Sequence, residues 1–230
     1  MRQVIAIGGG GFGREIGDLL IERYITDQSS ADIPKICFIP TATGDDQGYI
    51  DNFYKAFDSL GCSTSHINRF KRKIDLRSHI LEQDIIYVGG GNTKSMLAVW
   101  KEWGLDLILK EAYERGVIMC GVSAGAICWF EEGITDSWSE ELKVMDCLGF
   151  VKGACCPHYD EEPLRRPSLS KFITEGVIQS CHAVDGGCAL HIENEQEYKA
   201  VVFAKEKNAY CVDLENDEVK EEPYLRTEIF

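Results

Sequence analysis

No apolar run in the sequence approaches the roughly 20 residues that a bilayer-spanning helix needs, so a membrane span is not expected. The N-terminus, Met1-Arg2-Gln3-Val4-Ile5-Ala6-Ile7-Gly8, turns glycine-rich before a signal-peptide core could form, and the expected location is the cytoplasm. Positive charge is scarce: 24 Lys and Arg stand against 38 Asp and Glu, a formal net charge of -14. Nucleic-acid affinity is built on cations that neutralise phosphates, so nucleic acid and anionic membranes are not expected partners. The ten cysteines contain no Cys-x-x-Cys pair and fall mostly inside apolar segments such as Lys35-Ile36-Cys37-Phe38-Ile39. They read as small buried hydrophobes in a reducing compartment, with the adjacent pair Cys155-Cys156 the only unusual spacing. There is no repeat, no low-complexity tract and no linker rich in proline or glycine. One domain over residues 1–230 is therefore expected, a length sufficient for a full core.

What is present is alternation. Over the first two thirds, short apolar runs at 4–7, 35–39, 84–88 and 117–120 read as buried strands. Between them, stretches at 14–24, 48–60, 93–103 and 107–115 carry apolar residues three and four apart, the spacing of amphipathic helices. That is the pattern of βαβ units feeding a parallel sheet covered on both faces. After about residue 175 the runs at 177–184, 188–192, 198–203 and 209–214 become β-branched and aromatic. Turn signals at Asp185-Gly186-Gly187 and Lys207-Asn208 separate them, predicting antiparallel strands on a mostly parallel sheet. The acidic stretch Glu215-Asn216-Asp217-Glu218 reads as a solvated loop.

Two glycine-rich segments and one serine turn follow predicted strands. Gly8-Gly9-Gly10-Gly11-Phe12-Gly13 can be read as G-x-G-x-x-G, but the second strand ends Phe38-Ile39-Pro40-Thr41, without the acidic residue a dinucleotide ribose would need. A steric strand-to-helix turn, a nucleotide loop and the border of another pocket are the three readings of that run. Gly121-Val122-Ser123-Ala124-Gly125 satisfies G-x-S-x-G, a weak pattern alone. Here a strand leads in and a small apolar stretch, 124–130, leads out as an expected helix, as in a nucleophile elbow. A serine nucleophile needs a base, and only five histidines exist. His66 and His79 fall in outer connections, and His182 and His191 read as ordinary strand residues. His158, in Ala154-Cys155-Cys156-Pro157-His158-Tyr159-Asp160, lies where a proline ends a strand and opens a loop. Tyr87-Val88-Gly89-Gly90-Gly91-Asn92-Thr93 offers amides at the same sheet edge for an oxyanion hole, or merely a turn capped by Asn92 or Thr93.

Gly89-Gly90-Gly91-Asn92-Thr93, then Gly121-Val122-Ser123-Ala124-Gly125-Ala126, then Pro157-His158-Tyr159, in this order and at similar spacings, resemble the dipeptidase E and cyanophycinase family of serine peptidases. The resemblance covers nearly the whole chain. It implies a flavodoxin-like α/β fold, similar to class I glutamine amidotransferases with serine in place of cysteine. It also implies Ser123 as nucleophile, His158 as base, backbone amides of Gly90 or Gly91 and of Ala124 as oxyanion hole, and small peptides as substrates. No metal or organic cofactor is implied. The glutamate that the family often carries in the late turn aligns with Gly186, leaving Asp136 or Asp185 as the acid expected to orient His158, with Asp136 favoured, or a dyad without an acid. Arg165 and Arg166 are either cations for an acidic substrate group or plain surface charge. A member of the same fold that only binds a nucleotide or small molecule is the competing reading. Trp138 marks a candidate surface for a homodimer.

Overall fold

The computed structural model describes residues 1–13, 16–68 and 75–230. Its strands are β1 (Gln3–Ile7), β2 (Lys35–Ile39), β3 (Ser63–His66), β4 (Ile85–Val88), β5 (Ile118–Val122), β6 (Phe130–Thr135), β7 (Lys143–Asp146), β8 (Val151–Cys156), β9 (Ser180–Val184), β10 (Cys188–Glu193), β11 (Glu197–Val202), β12 (Ala209–Glu215), β13 (Glu218–Pro223) and β14 (Arg226–Glu228). Its helices are α1 (Leu20–Thr26), α2 (Gln47–Ser59), α3 (Leu76–Leu81), α4 (Thr93–Trp103), α5 (Leu105–Glu114), α6 (Ala124–Ile127) and α7 (Arg165–Thr174). Arg14, the expected start of the first helix, lies outside the described residues.

The strands form two sheets. The larger has the order β14-β11-β10-β1-β5-β4-β2-β3. Within it β1, β5, β4, β2 and β3 run parallel, while β10 lies antiparallel between β1 and β11. The run β3-β2-β4-β5 is the doubly wound pattern of flavodoxin-like folds, with the chain's first strand added beyond β5. Of its parallel strands, β1, β4 and β5 are buried throughout, which is why they read as continuous apolar runs, whereas the edge strand β3, Ser63-Thr64-Ser65-His66, is polar and half-exposed. The smaller sheet, β13-β12-β9-β8-β6-β7, was not foreseen as a separate layer. The two share a core in which Val4, Val88, Met119 and Leu190 of the large sheet join Phe130, Val151, Cys155 and Ala209 of the small one.

Two expectations are corrected here. The helix leading out of the serine turn ends at Ile127, and Phe130 already belongs to β6, so the predicted helix over 124–130 is a single turn. The strand-forming stretch Phe130-Glu131-Glu132-Gly133-Ile134-Thr135 gains a ladder against β8 there, and tertiary pairing overrides the helical reading. The acidic stretch at 215–218 is a tight hairpin: Asn216 and Asp217 take φ of 51° and 65° between β12 and β13, which suits the right-handed twist of the paired strands.

Two of the five histidines are structural and fixed in their neutral form. His191 in β10 contacts Gln3 Oε1 through Nε2 at 2.9 Å and the Tyr24 hydroxyl through Nδ1 at 2.6 Å. Since the amide oxygen can only accept, Nε2 carries the hydrogen and Nδ1 accepts from tyrosine. His182 in β9 likewise donates Nε2–H to the Lys152 carbonyl and accepts from Tyr224. Burial is the main cause that lowers both to about 4. The unfolded chain takes up these protons near pH 6.5 and the folded chain does not, so the stability they allow is lost as pH falls from about 6.5 toward 4. The buried carboxyls of Glu22 and Asp185, raised chiefly by burial, Asp185 to about 6, act in the opposite direction. Urea unfolding at pH 7 and pH 4 is expected to show His191→Gln losing about 3 kcal/mol less than the wild type over that interval. Equal losses would mean that His191 protonates in the fold.

Candidate active site

Three neighbouring parallel strands, β1, β5 and β4, end at one edge of the large sheet, and the site is assembled there from the loops that follow them and from the loop after β8. This is the edge at which open α/β sheets place their chemistry. After β5 the chain makes so sharp a turn that Ser123, at the head of α6, has φ 57° and ψ -112°. An L-residue rarely adopts that conformation, which belongs to the first central position of a type II′ turn, where glycine is usual. The turn is possible because its two glycines are packed against backbone. A Cβ on Gly121 would stand 2.6 Å from the Val88 and Gly125 carbonyl oxygens, and one on Gly125 only 2.1 Å from Val88 O.

Both Ser123 and His158 are tied to the end of β1. The Ser123 amide donates to Ile7 O at 3.2 Å and the His158 amide to Gly8 O at 3.0 Å. Two residues 35 positions apart, following strands of different sheets, are thereby hung on consecutive carbonyls, the last of β1 and the one after it. His158 itself has φ 53° directly after Pro157, and its ring is packed over Gly9, where a Cβ would lie 2.9 Å from Nδ1. The glycine run at 8–13 is thus a turn that carries site residues. Gly9 O accepts from Gly187 N at 2.9 Å, and Phe12 anchors the run among Phe38, Tyr49, Phe53, Phe57 and Tyr87.

The loop after β4 faces the serine. A Cβ on Gly90 would be 3.2 Å from Ser123 Cβ, a tight contact that glycine avoids. The Gly90 amide reaches the Tyr49 hydroxyl at 3.4 Å, longer than a well-formed N–H···O bond. Gly91, at φ 135°, is pressed on Ala42 O. Asn92 caps α4 through the Ser95 amide at 2.8 Å, so the capping reading of this segment also holds. Ala124 supplies the first amide of α6, one of those that a helix leaves without an intrahelical partner.

The acid expected on His158 is corrected. The carboxylate on Nδ1 is that of Glu161, at 2.7 Å, which the sequence reading did not single out. Asp185 points elsewhere: its Oδ2 accepts from the Asn208 amide at 3.0 Å and its Oδ1 is buried. Asp136 is exposed at the end of β6. The two arginines are already engaged. Arg165 is 4% exposed and donates to Ile134 O and Glu162, which overturns plain surface charge for this residue. Arg166 is paired with Glu221 and lies 4.2 Å from the Tyr159 ring centre. Trp138 is exposed, with the Lys94 ammonium 4.2 Å over its ring.

Comparison with known proteins agrees with this architecture. The sequence model of peptidase family S51 matches residues 4–199. The uncharacterized peptidase YgaJ of Bacillus subtilis is 49% identical over 97% of both chains. Peptidase E of Haemophilus influenzae is 27% identical, covering 69% of this chain and 77% of its own. The crystal structure of a peptidase from an acI-B1 Actinobacterium superposes with a TM-score of 0.68 at 17% identity, over 99% of this chain and 96% of that one.

Proposed function

The chain belongs to peptidase family S51, and on that premise we propose that it hydrolyses small peptides by acyl transfer through Ser123, with His158 as general base. The observation that carries this reading is the attachment of Ser123 and His158 to adjacent carbonyls at the end of β1, with Gly90 packed on the serine. Ser123 Oγ attacks the peptide carbonyl while His158 Nε2 takes its proton. The negative charge on the former carbonyl oxygen is met by backbone amides of Ala124 and of Gly90 or Gly91. His158 then returns the proton to the leaving amine, and a water, deprotonated in its turn by His158, releases the acyl group and restores Ser123.

The strained turn at Ser123 supports the reading, because it presents the hydroxyl at the sheet edge at a cost in backbone energy that packing must hold. The test is a fluorophosphonate probe together with a panel of dipeptides. Covalent labelling that maps to Ser123, with free amino acids released from at least one dipeptide, is the expected result. No label and no hydrolysis across the panel would leave a fold that binds small molecules without cleaving them.

A further inference from the structure

We propose that Glu161 is the carboxylate that orients the His158 imidazole, and that Gly9 and Gly186 keep open the space in which it stands. This rests on the reading of His158 as the base for Ser123. The geometry begins with the turn itself: His158 O accepts from the amides of both Glu161 and Glu162 at 3.1 Å. That tight return brings the side chain three residues on back over the ring. Oε2 then meets Nδ1 at 2.7 Å, the length of a charge-assisted bond. A carboxylate only accepts, so it holds the hydrogen on Nδ1 and leaves the Nε2 lone pair for the serine proton.

The two glycines give independent support. A Cβ on Gly9 would stand 2.7 Å from Glu161 Oε2, and one on Gly186 only 2.2 Å from both Cδ and Oε1. Neither glycine has positive φ, so backbone conformation does not demand glycine at either position. A side chain at either position would displace the carboxylate end of Glu161 from where it stands. The neighbouring acids are committed elsewhere: Asp160 accepts from Gly186 N at 2.8 Å and pairs with Lys207, and Glu162 pairs with Arg165. Glu161 alone of the three faces the imidazole. With its side chain 48% exposed, its contribution lies more in fixing ring orientation and tautomer than in raw charge.

The acid therefore rides on the same turn as the base, in space that a side chain at 186 would occupy. Three variants test this without touching the serine. Glu161→Gln is expected to lower kcat about 10²- to 10⁴-fold with little change in KM. Gly186→Ala keeps Glu161 but pushes its flexible end off the ring, and the expected loss in kcat is of the same order, with thermal stability nearly unchanged. Glu161→Ala combined with Gly186→Asp places a carboxylate in the same space from the other side, and is expected to recover about tenfold or more over Glu161→Ala alone.

A direct readout is the ¹⁵N spectrum of His158, where the wild type shows the Nδ1–H tautomer and Glu161→Ala, which removes the acceptor, loses it. If Glu161→Gln and Gly186→Ala both keep kcat within about threefold of the wild type, the proposal is overturned. An Nε2–H tautomer in the wild type overturns it as well, whether or not any peptide is cleaved. If Ser123→Ala still hydrolyses peptide, it is the serine reading that fails, and the tautomer decides the role of Glu161 on its own.

Discussion

Ser123→Ala is expected to abolish fluorophosphonate labelling and to lower kcat/KM for a cleaved dipeptide by about 10⁴- to 10⁶-fold, leaving unfolding by urea nearly unchanged. On the proposed mechanism the hydroxyl forms the ester, and the amides and the imidazole that remain would give only residual acceleration. The companion variant separates strain from chemistry. At φ 57° and ψ -112°, alanine is as uncomfortable as serine, whereas glycine relieves roughly 1–3 kcal/mol of backbone strain. The greater freedom of the unfolded glycine chain takes back about 0.5–1 kcal/mol. Ser123→Gly is therefore expected to be inactive yet more stable than Ser123→Ala by about 1 kcal/mol, read as a higher urea midpoint at equal slope. Equal stability of the two variants would show that the turn carries no strain.

Gly125→Ala is expected to be the most damaging of the single-methyl changes in the elbow. Its new Cβ would meet Val88 O at 2.1 Å and Val88 C at 2.6 Å, both backbone atoms of a strand hydrogen-bonded on either side. Neither can swing away as a side chain would. Either α6 lifts from β4 or the strand bends, at a cost of about 3 kcal/mol or more. For a chain of this length that is a fall in melting temperature of about 6–12 °C. Because α6 carries the Ala124 amide beside Ser123, activity is expected to fall before the protein unfolds. A variant with wild-type melting temperature and activity would contradict the close packing of β4 on α6.

The inner strands β1, β2, β4 and β5 were legible because they are apolar on both faces and the helices on one, two signals that differ in period, whereas the polar edge strand β3 and the short α3 carry neither signal and were missed. The prediction placed α4 over 93–103, and the structure gives Thr93–Trp103. The second sheet was hidden because β6 begins in a stretch, Trp129-Phe130, that continues an apolar segment without interruption. Only the pairing partners, β7 and β8, decide that it is a strand. At the candidate site, Ser123 and His158 stood out through turn chemistry, glycines in one case and a proline in the other. Glu161 did not, because in sequence it is one acid in Asp160-Glu161-Glu162, and only the fold assigns each a different partner. A signal existed nonetheless: glycine at 186, where a carboxylate was expected, reports an occupied volume as much as a missing group.

The suspension of Ser123 and His158 from β1 bears on how the protein comes into being. Strand β1 is made first, yet its two ladder partners, β5 and β10, lie more than a hundred residues downstream. Pairings of such separation form late, since the intervening loops must be closed before any contact rewards them. A chain emerging from the ribosome thus carries Ser123 well before His158, and β1 cannot be flanked on both sides until Cys188–Glu193 has been synthesised. On the proposed mechanism, peptidase activity is expected to appear only after residue 193 has been made and β10 has paired with β1.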